Sequence, residues 1–510
     1  MHAGNRKGAL ALRTSHFALS VARSHLEQLP NAHFARSLAL TPANLGHTSD
    51  MGQTLTCHGA AETVTGSRHL LEFNGKKILV DCGMFQGSSE LKQRNWKPFP
   101  VNPSEIDAVV LTHAHLDHIG YLPKLVQAGY QGPIYATAAT VGLCKISLPD
   151  SGRLQEEEAR HANKYAYSRH QPALPLYTEQ DAYAVMKLMH KMPYDTLHPL
   201  PGGAQWKYVP AGHILGSAFV EMYLPSGDKF LLSGDLGRFN TPIIKDPTPI
   251  EYADFLMIES TYGDRLHPVE DTVVHLGQIL TEAYQNGSTV IVPSFAIGRT
   301  QELLYYIYEL QEQGRCPRIP IYIDSPMAVS TTDLYRTAYE EHDDDMQREL
   351  RSGQAPLQPD NVTFIRDREQ SKALNVTKGP MMIIAGSGMA NGGRVVHHLM
   401  HRLPDPNTTV IFTGYQAEGT LGRRLLEKSP MVRIFGQEIE VRASIDKLNA
   451  LSAHADQGEI MKWLANFKAA PKRTFIVHGE PKAQAVLNEK IKAELGWETS
   501  IPRQGELFTL

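Results

Sequence analysis

With 510 residues the chain has room for about two to four domains of ordinary size, and its 42% hydrophobic and 20% charged content excludes a disordered or fibrous polymer. Lys and Arg number 50 against 54 Asp and Glu, a net charge of −4, which excludes nucleic-acid binding by bulk positive charge and leaves only a local basic groove for that purpose. Four cysteines are too few and too scattered for a disulfide scaffold or a thiolate zinc site, so the chain reads as a reduced, cytoplasmic protein, and its 23 histidines direct the search toward metal chemistry.

Residues 1–50 stand apart. They carry Arg6, Lys7, Arg13, Arg23 and Arg36 against only Glu27 and Asp50, with much Ala, Leu and Ser. A targeting peptide has this composition. The reading adopted is an upstream extension, disordered or a non-native start, because a firm strand pattern begins only after Met51. From there short apolar runs end repeatedly in a polar residue and a turn, at 77–83, 108–113 and 230–235. That is the signal for buried strands with chemistry at their ends. Residues 140–200 have helical spacing punctuated by Pro172, Pro175, Pro199 and Pro201. Strands at 289–293, 319–324, 381–385 and 409–413 then alternate with amphipathic stretches such as 301–310, which predicts a parallel, doubly wound sheet. The polar stretch 340–372 is expected to be a surface loop. The end of the chain returns to the earlier style, with a strand at 473–477, a His and a helix. No run approaches the ~18 apolar residues of a membrane span.

The densest chemistry is at His113, His115, Asp117 and His118, at a predicted strand-to-helix turn. On extended backbone His113 and His115 share one side, since side chains alternate. The turn then carries Asp117 and His118 to a neighbouring point, an arrangement that suits two adjacent metal ions. Imidazole and carboxylate without thiolate point to Zn²⁺ first, with Mn²⁺ or Fe²⁺ as alternatives.

This HxHxDH pattern resembles the signature of the metallo-β-lactamase superfamily, and further segments match its motifs in order: Asp81 in 80–83, His213 in 211–217 and Asp235 in 233–238. Beyond residue 258 the chain resembles the β-CASP nucleases of the RNA-processing branch. Glu259 stands in motif A, His454 in motif B and His478 in motif C, with similar stretches at 293–302, 324–328 and 386–389. The resemblance implies an α/β fold: an αβ/βα metallo-β-lactamase sandwich from 51–258 and 429–510, with a doubly wound β-CASP domain, 259–428, inserted between its halves. It implies two Zn²⁺ per chain (Mn²⁺ possible), with His113, His115 and His213 on one, Asp117, His118 and His478 on the other, Asp235 bridging, and Asp81 orienting the ligands.

The implied activity is hydrolysis of RNA phosphodiester bonds by a hydroxide generated at the paired ions, in endo- or 5′-exonucleolytic mode or both. His454 is then the general acid for the leaving 3′-oxygen, with Glu259 fixing its tautomer. Motif C is usually His in relatives acting on RNA and Val in the DNA-repair relatives, so His478 directs the expectation to single-stranded RNA lying between the domains. Ser294, Arg299, Ser387, Gly388 and Arg394 sit in turns after strands and are candidates to hold phosphates, with a plain turn or surface role as the alternative for each. The rival readings are a small-molecule metallohydrolase of lactamase or thioesterase type and a non-catalytic RNA-binding scaffold. Cys57 and Cys82 are expected to be buried and inert, and the His397–His398 pair to lie on a solvated helix face. No membrane partner is expected; the oligomeric state stays open, a homodimer among the options.

Overall fold

The computed structural model describes residues 52–510 apart from 166, 167, 169, 269–271, 415, 417, 449 and 450; the extension expected at 1–50 lies outside the described residues. Two seven-stranded sheets pack face to face. The first runs, edge to edge, Leu507–Thr509, Thr54–Cys57, His69–Phe73, Lys76–Val80, Ala108–Val110, Ile134–Thr137 and Met189–Met192. The second runs Thr499–Ser500, Arg473–Ile476, Phe255–Ile258, Lys229–Leu232, Ala218–Tyr223, Gln205–Pro210 and His198–Pro199.

Alternation within the strands builds the layers. Leu71, Ile78, Val80, Ala108 and Val110 face the second sheet and bury against Trp206, Tyr208, Val220, Met222, Phe230 and Phe475. Their neighbours Leu70, Leu79, Val109 and Leu111 turn outward, under Leu122, Leu125 and Leu148 of the helices Leu122–Gln127 and Ala138–Tyr165. On the far side Phe219, Leu231, Leu256 and Ile476 bury under Trp463 and Leu487 of the helices Gln457–Leu464 and Pro481–Leu495. The result is an αβ/βα sandwich. It closes only with the end of the chain: Leu507–Thr509 pairs with Thr54–Cys57, and Arg473–Ile476 with Phe255–Ile258.

The third sheet has six strands in the order Val362–Phe364, Ile321–Ile323, Met381–Ala385, Thr289–Pro293, Thr408–Phe412 and Ser444–Lys447, all paired in parallel. Val290, Val292 and Ile384 face the helices Thr272–Asn286, Arg299–Glu312 and Pro326–Thr337. Ile291, Ile383 and Val410 face Arg394–Arg402 and Leu421–Leu426. Strand residues that are apolar on both sides require cover on both sides, which gives the doubly wound architecture.

Two expectations differ from what is observed. The stretch 340–372 is not a loop: it holds helices Asp344–Arg351 and Arg368–Leu374 and the edge strand Val362–Phe364. Asp343 caps the first helix through the Met346 N–H, and Met346 is that helix's one buried residue, so the sequence looks polar throughout. The junction expected at 429 falls later. Ser444–Lys447 pairs with Thr408–Phe412, and Val432, Ile434 and Ala443 bury against Val395 and Leu399, so the chain leaves the six-stranded sheet only after Lys447. Among the described residues no helix is long and apolar enough to cross a membrane.

One close approach locks the segment after Val80 to the turn at 113–118. Cys82 N–H donates to His118 O at 2.8 Å, and Met84 N–H to Leu116 O at 2.9 Å. A Cβ on Gly83 would stand 1.5 Å from Asp117 O. Gly83→Ala is therefore expected to cost about 3 kcal/mol of unfolding free energy, whereas Gly392→Ala, with open space around its Cβ position, leaves the midpoint of urea denaturation unchanged.

Candidate metal centre

The chemistry-bearing residues gather where strands end. Asp81 follows Lys76–Val80, His113 follows Ala108–Val110, Asp235 follows Lys229–Leu232, Glu259 follows Phe255–Ile258, and His478 follows Arg473–Ile476. Within each sheet these strands run parallel to their neighbours, so their C-terminal ends share one edge. His115 caps the short helix Leu116–Ile119, whose first turn carries Asp117 and His118.

Seven side chains form two adjoining nests. In the first, His115 Nδ1 lies 3.1 Å from both His113 Nε2 and His213 Nε2. Asp235 Oδ2 lies 3.3 Å from His113 Nε2 and 3.4 Å from His213 Nε2. In the second, His118 Nε2 is 3.1 Å from His478 Nε2 and 3.2 Å from Asp235 Oδ1, and Asp117 Oδ2 is 3.5 Å from His478 Nε2. Asp235 thus offers one oxygen to each nest. Donors placed tetrahedrally around zinc at ~2.0–2.1 Å stand about 3.3 Å apart, and the observed separations bracket that value. Asp235 Oδ1 and His213 Nδ1 are buried without a hydrogen-bond partner among the described residues. Nitrogen and oxygen donors without thiolate, at this spacing, fit divalent zinc or a similar cation.

The surroundings fix which ring nitrogen points inward. Asp81 is fully committed: Thr112 N–H donates to Oδ1 at 2.8 Å, and Thr112 Oγ1–H and His118 Nδ1–H donate to Oδ2 at 2.8 and 2.7 Å. With its proton on Asp81, Thr112 Oγ1 accepts from His113 Nδ1–H at 3.1 Å. Thr261 Oγ1 donates to His478 O and accepts from His478 Nδ1–H at 3.1 Å. The Nε2 lone pairs of His113, His118 and His478 therefore face the nests, the arrangement by which outer partners orient metal-binding imidazoles. Burial pushes His115 down to about 3. Burial also lowers His113 and His213. Burial opposes ionisation of Asp235, but the histidines around it, His478 and His118 foremost, hold its carboxyl well below the usual range. Burial likewise disfavours the cationic form of His118, yet Asp235 and Asp81 outweigh it and raise the imidazole.

Beside the nests stands a dyad. His454 Nδ1 donates to both Glu259 oxygens, at 3.0 and 3.1 Å, and Nε2 has no hydrogen-bond partner among the described residues. Glu259 is wholly buried and also accepts from Leu236 N–H at 2.8 Å. Burial works against protonated His454, but Glu259 and Asp235 hold it up at about 9. A third cluster, His267, Asp456 and Glu459, is structural: Asp456 and Glu459 form the capping box of Gln457–Leu464, and His267 Nε2–H donates to His454 O at 3.0 Å, fixing that loop.

Comparison with known proteins decides the family. Residues 66–272 match the metallo-beta-lactamase superfamily, 300–425 the Beta-Casp domain, and 438–502 a Zn-dependent metallo-hydrolase RNA specificity domain. The chain is 41% identical over 449 residues to a ribonuclease of Thermus thermophilus, covering 88% of this chain and 98% of that one. The chain belongs to the β-CASP family of the metallo-β-lactamase superfamily. An RNase J-like protein of Methanocaldococcus jannaschii is 29% identical over 89% of this chain and 99% of its own. A transcription termination factor of Methanosarcina mazei is 28% identical over 88% of this chain and 70% of its own. A crystal structure of a protein of unknown function from Enterococcus faecalis shares the fold, with a TM-score of 0.51 at 16% identity over 90% of this chain and all of that one.

An open cleft of about 4150 Å³ runs from the nests to the β-CASP sheet, reaching His115, Asp117, His213 and His454 at one end and Ser294, Arg299, Ser387, Gly388 and Arg394 at the other. All five residues expected to hold phosphates thus line the cleft, but two spend their charge internally. Arg299 is buried and donates to Glu302 at 2.6 Å. Arg394 donates to Asp324 at 2.7 Å and to the carbonyls of Ile365 and Arg366. Ser294 Oγ accepts from Thr300 Oγ1–H at 3.1 Å, Ser387 Oγ accepts from Asn391 N–H at 3.1 Å, and Phe295 covers Gly388.

Cys57 and Cys82 are buried, as expected, with thiols raised by burial, Cys82 to about 12. The solvated face expected of the His397–His398 pair fails for His398, which is fully buried and bonded to Asp324 at 2.6 Å and Asn375 at 2.7 Å. Sequence reasoning also missed Thr112 and Thr261, the hydroxyls that set the tautomers. Their only signal is position: one precedes His113 directly, the other lies two residues after Glu259.

Removing the Asp81 charge tests the orienting role. Asp81→Asn is expected to bind zinc 10- to 100-fold more weakly in a competitive chelator titration, with an unchanged circular dichroism spectrum.

Proposed function

We propose that the chain is a zinc-dependent ribonuclease that hydrolyses phosphodiester bonds of single-stranded RNA. His113, His115 and His213 would hold one Zn²⁺ and Asp117, His118 and His478 a second, with Asp235 offering an oxygen to each nest. The observation that carries this reading is the spacing of seven donors, five of them buried, beside the Glu259–His454 dyad; the likeness to a ribonuclease over 88% of this chain and 98% of that one supports it. When bound, such a pair of cations lowers the pKa of a water to about 7 and offsets charge on the phosphate oxygens.

The remaining work falls to the protein. Asp81, Thr112 and Thr261 hold the imidazoles in the required tautomers. His454 presents its Nε2 proton to the leaving 3′-oxygen, and Glu259 retains the Nδ1 proton and stabilises the cationic ring. Burial of Glu259 makes that stabilisation strong, since few waters compete.

Several outcomes follow. His115→Ala and Asp117→Ala fold but lose RNA cleavage, and zinc analysis of the wild type gives about two ions per chain; undiminished turnover by both variants overturns the assignment. Cleavage of nitrocefin or a lactoyl thioester with none of RNA would favour a small-molecule hydrolase instead. His454→Ala retains its zinc and loses about 10²- to 10⁴-fold in kcat. His454 acts in its protonated form, so the rate falls as pH rises through its pKa; Glu259→Gln moves that fall to lower pH, read from kcat between pH 6 and 10. Products from 5′-monophosphate and 5′-triphosphate RNA, sized on a gel, assign the endo- or 5′-exonucleolytic mode.

A further inference from the structure

The β-CASP part carries an aromatic surface with no role in its core. The hairpin Met431–Ile434 and Gln437–Glu440 buries Val432 and Ile434, while Phe435 at its turn is 59% exposed. Phe435 has φ +48 and Gly436 φ +82, a left-handed pair for which Asn-Gly is the favoured sequence. A phenylalanine there neither suits the backbone nor packs inside. Its ring lies instead against His397 of the helix Arg394–Arg402, tilted, with centroids 4.7 Å apart and planes 34° from parallel. Both rings line the cleft that leads to His115 and His454. Arg368 also lines this cleft, and its side chain forms no ion pair among the described residues. Burial first, then His398, Arg368 and His401, lowers the pKa of His397, which keeps a flat neutral face beside fixed positive charge.

Resting on the ribonuclease reading, we propose that Phe435 and His397 form a stacking platform for a base of single-stranded RNA, with Arg368 meeting an adjoining phosphate. Every base has a π-face, so the platform is sequence-tolerant and its contribution grows only for strands long enough to reach it. The polyanion supplies the charge complement to Arg368 on a chain of net charge −4.

The test compares full-length wild type, Phe435→Asn, Phe435→Trp and Arg368→Ala. Steady-state kinetics use oligouridylates of about 6 and about 24 nucleotides, with bis(p-nitrophenyl) phosphate as a substrate too small to reach the platform. Phe435→Asn is expected to raise KM for the long RNA about tenfold, leave kcat and diester hydrolysis unchanged, and melt no lower than wild type, because Asn tolerates the left-handed turn. Phe435→Trp restores the wild-type KM. Arg368→Ala lessens the slope of log KM against log salt by about 0.7. An unchanged KM for long RNA in Phe435→Asn overturns the platform. Failure of the ribonuclease reading is separate: wild type would hydrolyse the diester and no RNA, and the platform would then stand or fall by whether Phe435→Asn weakens anisotropy-measured binding of the labelled long strand.

Discussion

The architecture turns on one buried carboxylate. Asp235 sits with four imidazoles pressed around it and is 2% exposed. An isolated carboxylate in such a place would protonate and go neutral; here the histidines keep it ionised. The histidines in turn are oriented by hydroxyls and a second carboxylate, Asp81, each of which has spent its hydrogen-bonding capacity elsewhere. Ring nitrogens converge at 3.1 Å in both nests. A cation among them would take up their lone pairs together, and the rest of the fold is the scaffold that brings them to one place.

How the scaffold does so explains what could be read from the sequence. His113, His115, Asp117 and His118 lie within six residues, and their geometry follows from strand alternation and a turn. Asp81, His213, Asp235, Glu259, His454 and His478 meet them only because separate strands end on one edge, a relation that spacing does not encode and that family resemblance supplied. The hydroxyls of Thr112 and Thr261 were not legible, since a threonine after a strand has many ordinary uses. His398 was misread because a helix pattern shows only its own face; the partner that buries it, Asp324, is 74 residues away. The helix Asp344–Arg351 was missed because a single buried side chain leaves no periodic signal. The late junction was missed because Met431–Ile434 and Ser444–Lys447 look like any half-buried strand, and only pairing reveals their sheet.

Charge is used in the same economical way. The arginines at the strand ends of the six-stranded sheet are tied to Glu302 and Asp324, so they brace loops as much as they attract anions. Asp324 alone gathers Arg394, His398 and Ser371, pinning two helices to the end of Ile321–Ile323. These loops form the far wall of the cleft.

The order of the donors along the chain has a consequence for biosynthesis. His118 meets His478 across 360 positions, and the first strand of the sandwich finds its outer neighbour only at Leu507–Thr509. A nascent chain therefore carries an incomplete centre until the segment that bears His478 has been made and has folded back.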